Sequence, residues 1–266
     1  MRISFTQVDA FAEEPFTGNP AAVMPLAAWL DDAVLQRIAE ENNLSETAFI
    51  VATSEDAEAD FALRWFTPTS EVALCGHATL ASGHVVLSSD SALTRVRFRT
   101  RQAGILEVER ADRGYVMALP AWKPAAADLS AYVDALALGA VDATLWYDKG
   151  YALIVVPDEA TVRGLAPDQR ALKAAGHAVV IVAAPGATTD IVSRVFTPAY
   201  GIDEDPVTGS AHAVMVPYFA ERTGRDQLTA FQASARGGRV GCRLDGDRVI
   251  LAGSCVTTIE GSFLLP

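Results

Sequence analysis

The spacing of apolar positions changes twice near the N-terminus. "RISFTQVDAFA" alternates apolar and polar residues, the period of a half-buried strand, and the short apolar run "AAVMPL" reads as a second strand. "LDDAVLQRIAEENN" then places Leu30, Val34, Leu35 and Ile38 on one helical face. Further along, "TLWYDKGYALIVVP" predicts strands again, and "EATVRGLAPDQRALKAAG" predicts a helix with a polar face. Two segments obey neither period. "GHATLASGHVVLSS" and "GSAHAVMVPYFAERTG" are apolar or small on nearly every side, which is the pattern of a helix buried all round. "TRVRFRTRQAGILEVERA", "GYVMALP" and "GGRVGCRLDGDRVILAGSCVTTIEGSFLL" predict further strands, and "PAWKPAAADLSAYVDALALG" reads as a crossover.

The order of these elements repeats. "FTPTSEVALCGHATLA" begins at Phe66 and "FTPAYGIDEDPVTGSAHA" at Phe196, an offset of 130 residues that sets Arg64 against Arg194, Pro68 against Pro198 and Cys75 against Asp205. "GNPAAVMP" from Gly18 and "GYALIVVP" from Gly150 agree at 132, and "TAFIVA" agrees with "AVVIVA" at about 131. Three ordered anchors predict a duplicated α+β fold with lobes at 1–122 and 123–266, each a mixed β-barrel around its own central helix, with terminal strands free to cross between lobes.

Composition narrows the role. The 266 residues carry 21 Lys and Arg against 33 Asp and Glu, a net charge of −12, which repels nucleic-acid phosphates and anionic lipid. Neither a nucleic-acid nor a membrane partner is expected. "MRISFTQVDAF" lacks the build of a secretory leader, and the run "AVVIVAAPGA" is too short and too broken to span a bilayer. Three widely spaced cysteines, Cys75, Cys242 and Cys255, suggest a reducing, cytoplasmic setting rather than a disulfide framework. No HExxH, acidic triad or Cys/His tetrad is present, so neither metal nor cofactor is expected.

Chemistry concentrates at the two glycine-containing knots. Helices opening at Gly76 and Gly209 present free backbone N–H groups, which suit a substrate carboxylate. If the lobes face one another, Cys75 and Asp205 flank the substrate as two proton carriers, and the helix end lowers the Cys75 pKa towards a thiolate. Each residue also has a plainer reading: a buried cysteine, a packed pair of histidines at His77 and His84, turn polarity at Glu46 and Asn19. Ser210 in "TGSAH" does not sit in a GxSxG elbow, so a serine hydrolase is not indicated.

"VDAFAEEPFTGNPAAV", "ENNLSETAFIV", "FTPTSEVALCGHATLASGHV" and "DPVTGSAHA" together resemble the PhzF family of phenazine-biosynthesis-like isomerases, whose fold is that of the diaminopimelate epimerases and proline racemases. The likeness runs from Val8 to the C-terminus. It implies a cofactor-independent isomerase, a homodimer, acting on a small carboxylate substrate between two lobes. It implies Glu46 as the acid/base, with His77, Asp205 and Ser210 lining the site. Gly76, Gly209, Thr208 and Asn19 would bind substrate. Epimerases of this fold carry a cysteine in both lobes; this chain has Cys75 in one copy only. Two other functions remain open: an amino-acid or hydroxy-acid epimerase using Cys75 and Asp205, and a ligand-binding homologue without catalysis.

Overall fold

The computed structural model describes residues 1–265 and divides the chain into two compact units, Met1–Ala118 with Ala252–Pro266, and Leu119–Leu251. The boundary lies slightly before the expected 122/123, and the segment that changes unit is the C-terminal one. The first unit contains β1 (Arg2–Ala10), β2 (Asn19–Leu26), α1 (Asp32–Asn42), β3 (Glu46–Ala52), β4 (Phe61–Phe66), β5 (Glu71–Val72), α2 (Gly76–Ser89), β6 (Arg95–Thr100) and β7 (Ile105–Arg110), and the boundary falls inside β8 (Tyr115–Pro120). The second contains β9 (Ala125–Ala126), α3 (Ser130–Ala135), β10 (Ala143–Tyr147), β11 (Tyr151–Val155), α4 (Glu159–Arg163), α5 (Gln169–Ala175), β12 (Val179–Pro185), β13 (Ile191–Thr197), β14 (Ile202–Asp205), α6 (Gly209–Thr223), β15 (Gln227–Gln232) and β16 (Gly238–Asp245). β17 (Arg248–Gly253) spans the return, and β18 (Cys255–Leu264) belongs to the first unit.

The first unit's sheet is mixed. β1 lies antiparallel to both β18 and β2, β2 is parallel to β3, β3 antiparallel to β4, and β4 is antiparallel to β5 but parallel to β6. The second unit repeats this sequence of pairings through β11, β12, β13, β14 and β15. α2 packs against β1, β2, β3, β6, β7 and β18. That explains its lack of an exposed face: a helix touched by strands on most sides needs small or apolar residues throughout. Gly83 shows how close the packing is, since a Cβ there would sit 2.4 Å from the Val108 side chain. α6 is buried in the same manner from Gly209 to Ala220. α1 presents Leu35, Ile38 and Ala39 to a core with Ile3, Met24, Phe49 and Phe66, while Leu30 and Val34 pack at its margin. The expected helix after Pro157 is two short ones, because Gly164 ends α4 and Pro167 precedes α5, which Asp168 caps by accepting from the N–H groups of Arg170 and Ala171. Among the described residues no helix is long and apolar enough to cross a membrane.

Strand register corrects the sequence alignment of the two copies. Phe66 faces Thr47 and Glu71, and Phe196 faces Val180 and Glu204. Trp65 pairs with Val72, and Val195 with Asp205. The counterpart of Asp205 is therefore Val72, not Cys75. Cys75 is the N-cap residue of α2, and the N-cap residue of α6 is Thr208. The longer connection after Phe196, with its 3-10 turn at Pro198–Tyr200, absorbs the extra residues. By the same register Glu46, which precedes Thr47, corresponds to Val179, so the second copy has no carboxylate there. What both copies do retain is an arginine clamp before the knot. Arg64 donates to both oxygens of Glu71 at 2.8 and 2.7 Å and to Asp32 at 2.8 Å, with its guanidinium over Trp29 and Phe66. Arg194 does the same to Glu204, at 2.8 Å to each oxygen, over Phe196.

Candidate active site

Four of the predicted site residues meet in the first unit. Gly18 makes the turn into β2 in the left-handed region (φ +65°), where a Cβ would come 2.2 Å from the Ala10 carbonyl oxygen, so glycine is required. The next residue, Asn19, opens β2. β2 and β3 run parallel with Ala21 beside Glu46, which places Asn19 and Glu46 at the same end of adjacent strands. α2 begins at Gly76 and carries His77 in its first turn, with Cys75 extended just before it. His77 Nε2 lies 3.0 Å from Glu46 Oε2, off the ideal hydrogen-bond direction. On the other side of the ring, Nδ1 lies 3.1 Å from Asn19 Nδ2 and 3.5 Å from Cys75 Sγ. Asn19 can offer its NH₂ to a bare Nδ1 or, after a half-turn of the amide, its oxygen to a protonated one. Asn19, His77 and Cys75 are buried; the Glu46 side chain is 13% exposed and is the member of the set that solvent reaches best.

The electrostatics reverse one expectation. The Cys75 thiol is not activated. Burial pushes its pKa up to about 11, the Glu46 charge adds to that, and His77 opposes both without prevailing. Position at a helix N-terminus is outweighed because the sulfur is enclosed and faces a carboxylate. Burial also works against charge on His77, yet Cys75 and Glu46 more than offset it and hold the imidazole well above the ordinary histidine value.

A residue not singled out from the sequence supports this end of the unit. Asp9, buried on β1, accepts the Phe16 N–H at 2.9 Å. It thereby orders the loop from Phe11 to Gly18, in which Phe11 and Phe16 both adopt positive φ, 57° and 72°. Asp9 lies inside the quoted "VDAFAEEPF" stretch, but an aspartate in a strand carries no local signal of this role.

The second unit assembles the other predicted residues. The Thr208 hydroxyl donates to Asp205 Oδ2 at 2.5 Å. Gln232, fully buried at the end of β15, binds both ends of this knot: its Nε2 donates to the Asp205 carbonyl at 2.6 Å, and its Oε1 accepts the Thr208 N–H at 2.8 Å. His212 donates from Nδ1 to the Thr208 carbonyl at 2.8 Å and stays neutral, its pKa pressed down to about 4 by burial. Gly209 opens α6, and Ser210 follows half-buried in its first turn. Gln232 and His212 were not legible in the sequence, since an isolated Gln in "FQASARGG" resembles any strand residue. His84 takes no part in either cluster; it bonds Tyr115 and Thr257 and ties α2 to β8 and β18.

As possible metal donors, Glu46, Cys75 and His77 each offer an atom, all within 4.8 Å of one another. Chemically, the first-unit cluster joins a thiol, an imidazole and a carboxylate in a row, with only the carboxylate turned towards solvent.

Comparison with known proteins agrees with this reading of the fold. The family model described as "Phenazine biosynthesis-like protein" (PhzC-PhzF) matches residues 8–261. An uncharacterized isomerase of Pseudomonas aeruginosa is 47% identical over 267 residues, covering 100% of both chains. A crystal structure of a phenazine biosynthesis protein of the PhzF family from Enterococcus faecalis superposes with a TM-score of 0.90 at 42% identity, again covering 100% of both chains. A hydroxyproline epimerase from Agrobacterium vitis shares the fold alone, with a TM-score of 0.61 at 12% identity over 98% of this chain and 92% of its own.

Proposed function

The chain belongs to the PhzC-PhzF family of phenazine biosynthesis-like proteins, and from that premise we propose that it is a cofactor-independent isomerase moving a proton between carbons of a small carboxylate-bearing substrate. The observation that carries this is the contrast within the cluster: a partly exposed Glu46 carboxylate is braced by His77 at 3.0 Å, while Cys75 is a buried, protonated thiol. Glu46 removes a proton from one carbon and returns it to another. Charge developing on the substrate carboxylate is met by backbone N–H groups at the N-terminus of α2, beginning with Gly76. His77 keeps the Glu46 carboxylate oriented. Asp205, Ser210 and the α6 terminus at Gly209 offer a second set of polar groups within their own unit, where Gln232 fixes the knot that carries Asp205.

A two-base epimerase working through Cys75 and Asp205 is the competing reading. It is disfavoured by the raised thiol pKa and by register, which sets Asp205 against Val72. The test is deuterium incorporation from D₂O into a panel of small carboxylic acids, read by mass spectrometry. Glu46→Gln should lower exchange by roughly 10²–10⁴-fold, with Cys75→Ala much milder. The reverse ranking, with inversion at a chiral carbon, would transfer the reaction to the epimerase scheme. Exchange by neither wild type nor variants would leave a binding protein.

A further inference from the structure

We propose that the Asn19–Cys75–His77 cluster, backed by Glu46, is also a binding site for a soft divalent cation of the zinc type, whose occupancy would block the acid/base. The sequence has no metal-binding spacing; the donors converge only through folding. With Zn–S about 2.3 Å and Zn–N about 2.0–2.1 Å, a tetrahedral ion holds its sulfur and nitrogen ligands about 3.5 Å apart. Cys75 Sγ and His77 Nδ1 already stand 3.5 Å apart. Nitrogen and oxygen ligands on the same ion lie about 3.4 Å apart. The Asn19 amide atom facing Nδ1 is at 3.1 Å, and a half-turn of that amide puts its oxygen there. With the ion on Nδ1, Nε2 carries the hydrogen, 3.0 Å from Glu46 Oε2 but off its hydrogen-bond direction, a short ring turn from the carboxylate–histidine–metal arrangement that orients ligating imidazoles.

Charge also balances. A thiolate and the Glu46 carboxylate match a divalent ion, so the buried cluster becomes neutral on binding. The Cys75 S–H bond breaks as the S–metal bond forms, and its proton leaves to solvent together with any proton on His77 Nδ1. No electron is transferred. Sulfur among the donors selects zinc, cadmium or cobalt over magnesium or calcium. The site itself follows from donor geometry alone; only its effect on the acid/base rests on the isomerase reading.

The experiment is a titration of the reduced, full-length chain with Co²⁺, read by absorbance. One equivalent should produce a sulfur-to-cobalt charge-transfer band, and Zn²⁺ should abolish it by displacement. Cys75→Ser should lose the band, and Glu46→Gln should weaken binding by about 10–100-fold, as loss of an outer carboxylate does. The double variant Cys242→Ser, Cys255→Ser leaves Cys75 as the sole thiol and should keep the full band, which decides the matter if Cys75→Ser does not fold. No band at stoichiometric Co²⁺, or a band that disappears with Cys242 and Cys255, would overturn the site.

Discussion

Cys75 lies two residues from His77 at the start of a helix, where a sequence reading expects an activated thiolate, and the fold makes it the opposite. An ordinary thiol of pKa about 8.5 is roughly one-tenth thiolate at pH 7.5, whereas at a pKa of about 11 the thiolate fraction is near 3 in 10,000. Alkylation of Cys75 by iodoacetamide should therefore run about 300-fold slower than that of a free thiol, before any further loss from its 6% exposure. Variants separate the causes. Glu46→Gln removes a charge that opposes the thiolate, so it should quicken alkylation, by up to about tenfold. His77→Gln removes the one neighbouring side chain that favours the thiolate and should slow it further. The assay is the rate of labelling of the Cys75 peptide by mass spectrometry across pH. If wild-type Cys75 is labelled at neutral pH as fast as glutathione, or if Glu46→Gln slows it, the cluster does not suppress the thiolate and the two-base scheme regains its second base.

Two further outcomes concern stability. Because folded Cys75 and Cys242 both titrate above the ordinary thiol range, the unfolded chain loses those protons first; stability is fully present below about pH 8 and should fall, by up to about 1.4 kcal/mol per pH unit per thiol, as pH rises towards 11, measured by urea melts. Glu71→Ala leaves the buried Arg64 guanidinium with only the exposed Asp32 and should cost about 3 kcal/mol, whereas Arg64→Met removes the charge and keeps the bulk, so it should cost clearly less; equal or inverted costs in denaturation would refute this view of the clamp.

The duplication was legible because Phe-Thr-Pro and the arginine two residues before it survive in both copies, and they survive because the arginine clamps the knot. The two all-round apolar helices were legible for a related reason, as enclosure by strands permits no polar stripe. Register was not. Sequence similarity anchors on Phe66 and Phe196, but strand pairing sets Thr47 against Val180 and Val72 against Asp205, and the longer connection at Tyr200 and Gly201 hides the shift. Glu46 emerged only through the motif around it, since a lone glutamate after "NLS" says nothing of the His77 ring it meets. The Cys75 pKa was misjudged because helix position can be read along the chain, while enclosure and a facing carboxylate depend on residues far from it in sequence. Pro167 and Asp168 did announce the break between α4 and α5, and the amphipathic pattern on either side concealed it.

β18 lies beside β1, and Thr258 donates to the Gln7 carbonyl across a sequence separation of 251 residues. As the chain emerges from the ribosome, the whole contiguous stretch from Leu119 to Leu251 can fold while β1 still waits for its neighbour. The unit holding Glu46, Cys75 and His77 is thus begun first and completed last. Until β18 arrives, one edge of β1 is unpaired and Thr257 cannot anchor His84 on α2. A ribosome stalled before β18 would therefore display a finished second unit joined to an unfinished first one, with His77 held on a helix that has not yet been pinned.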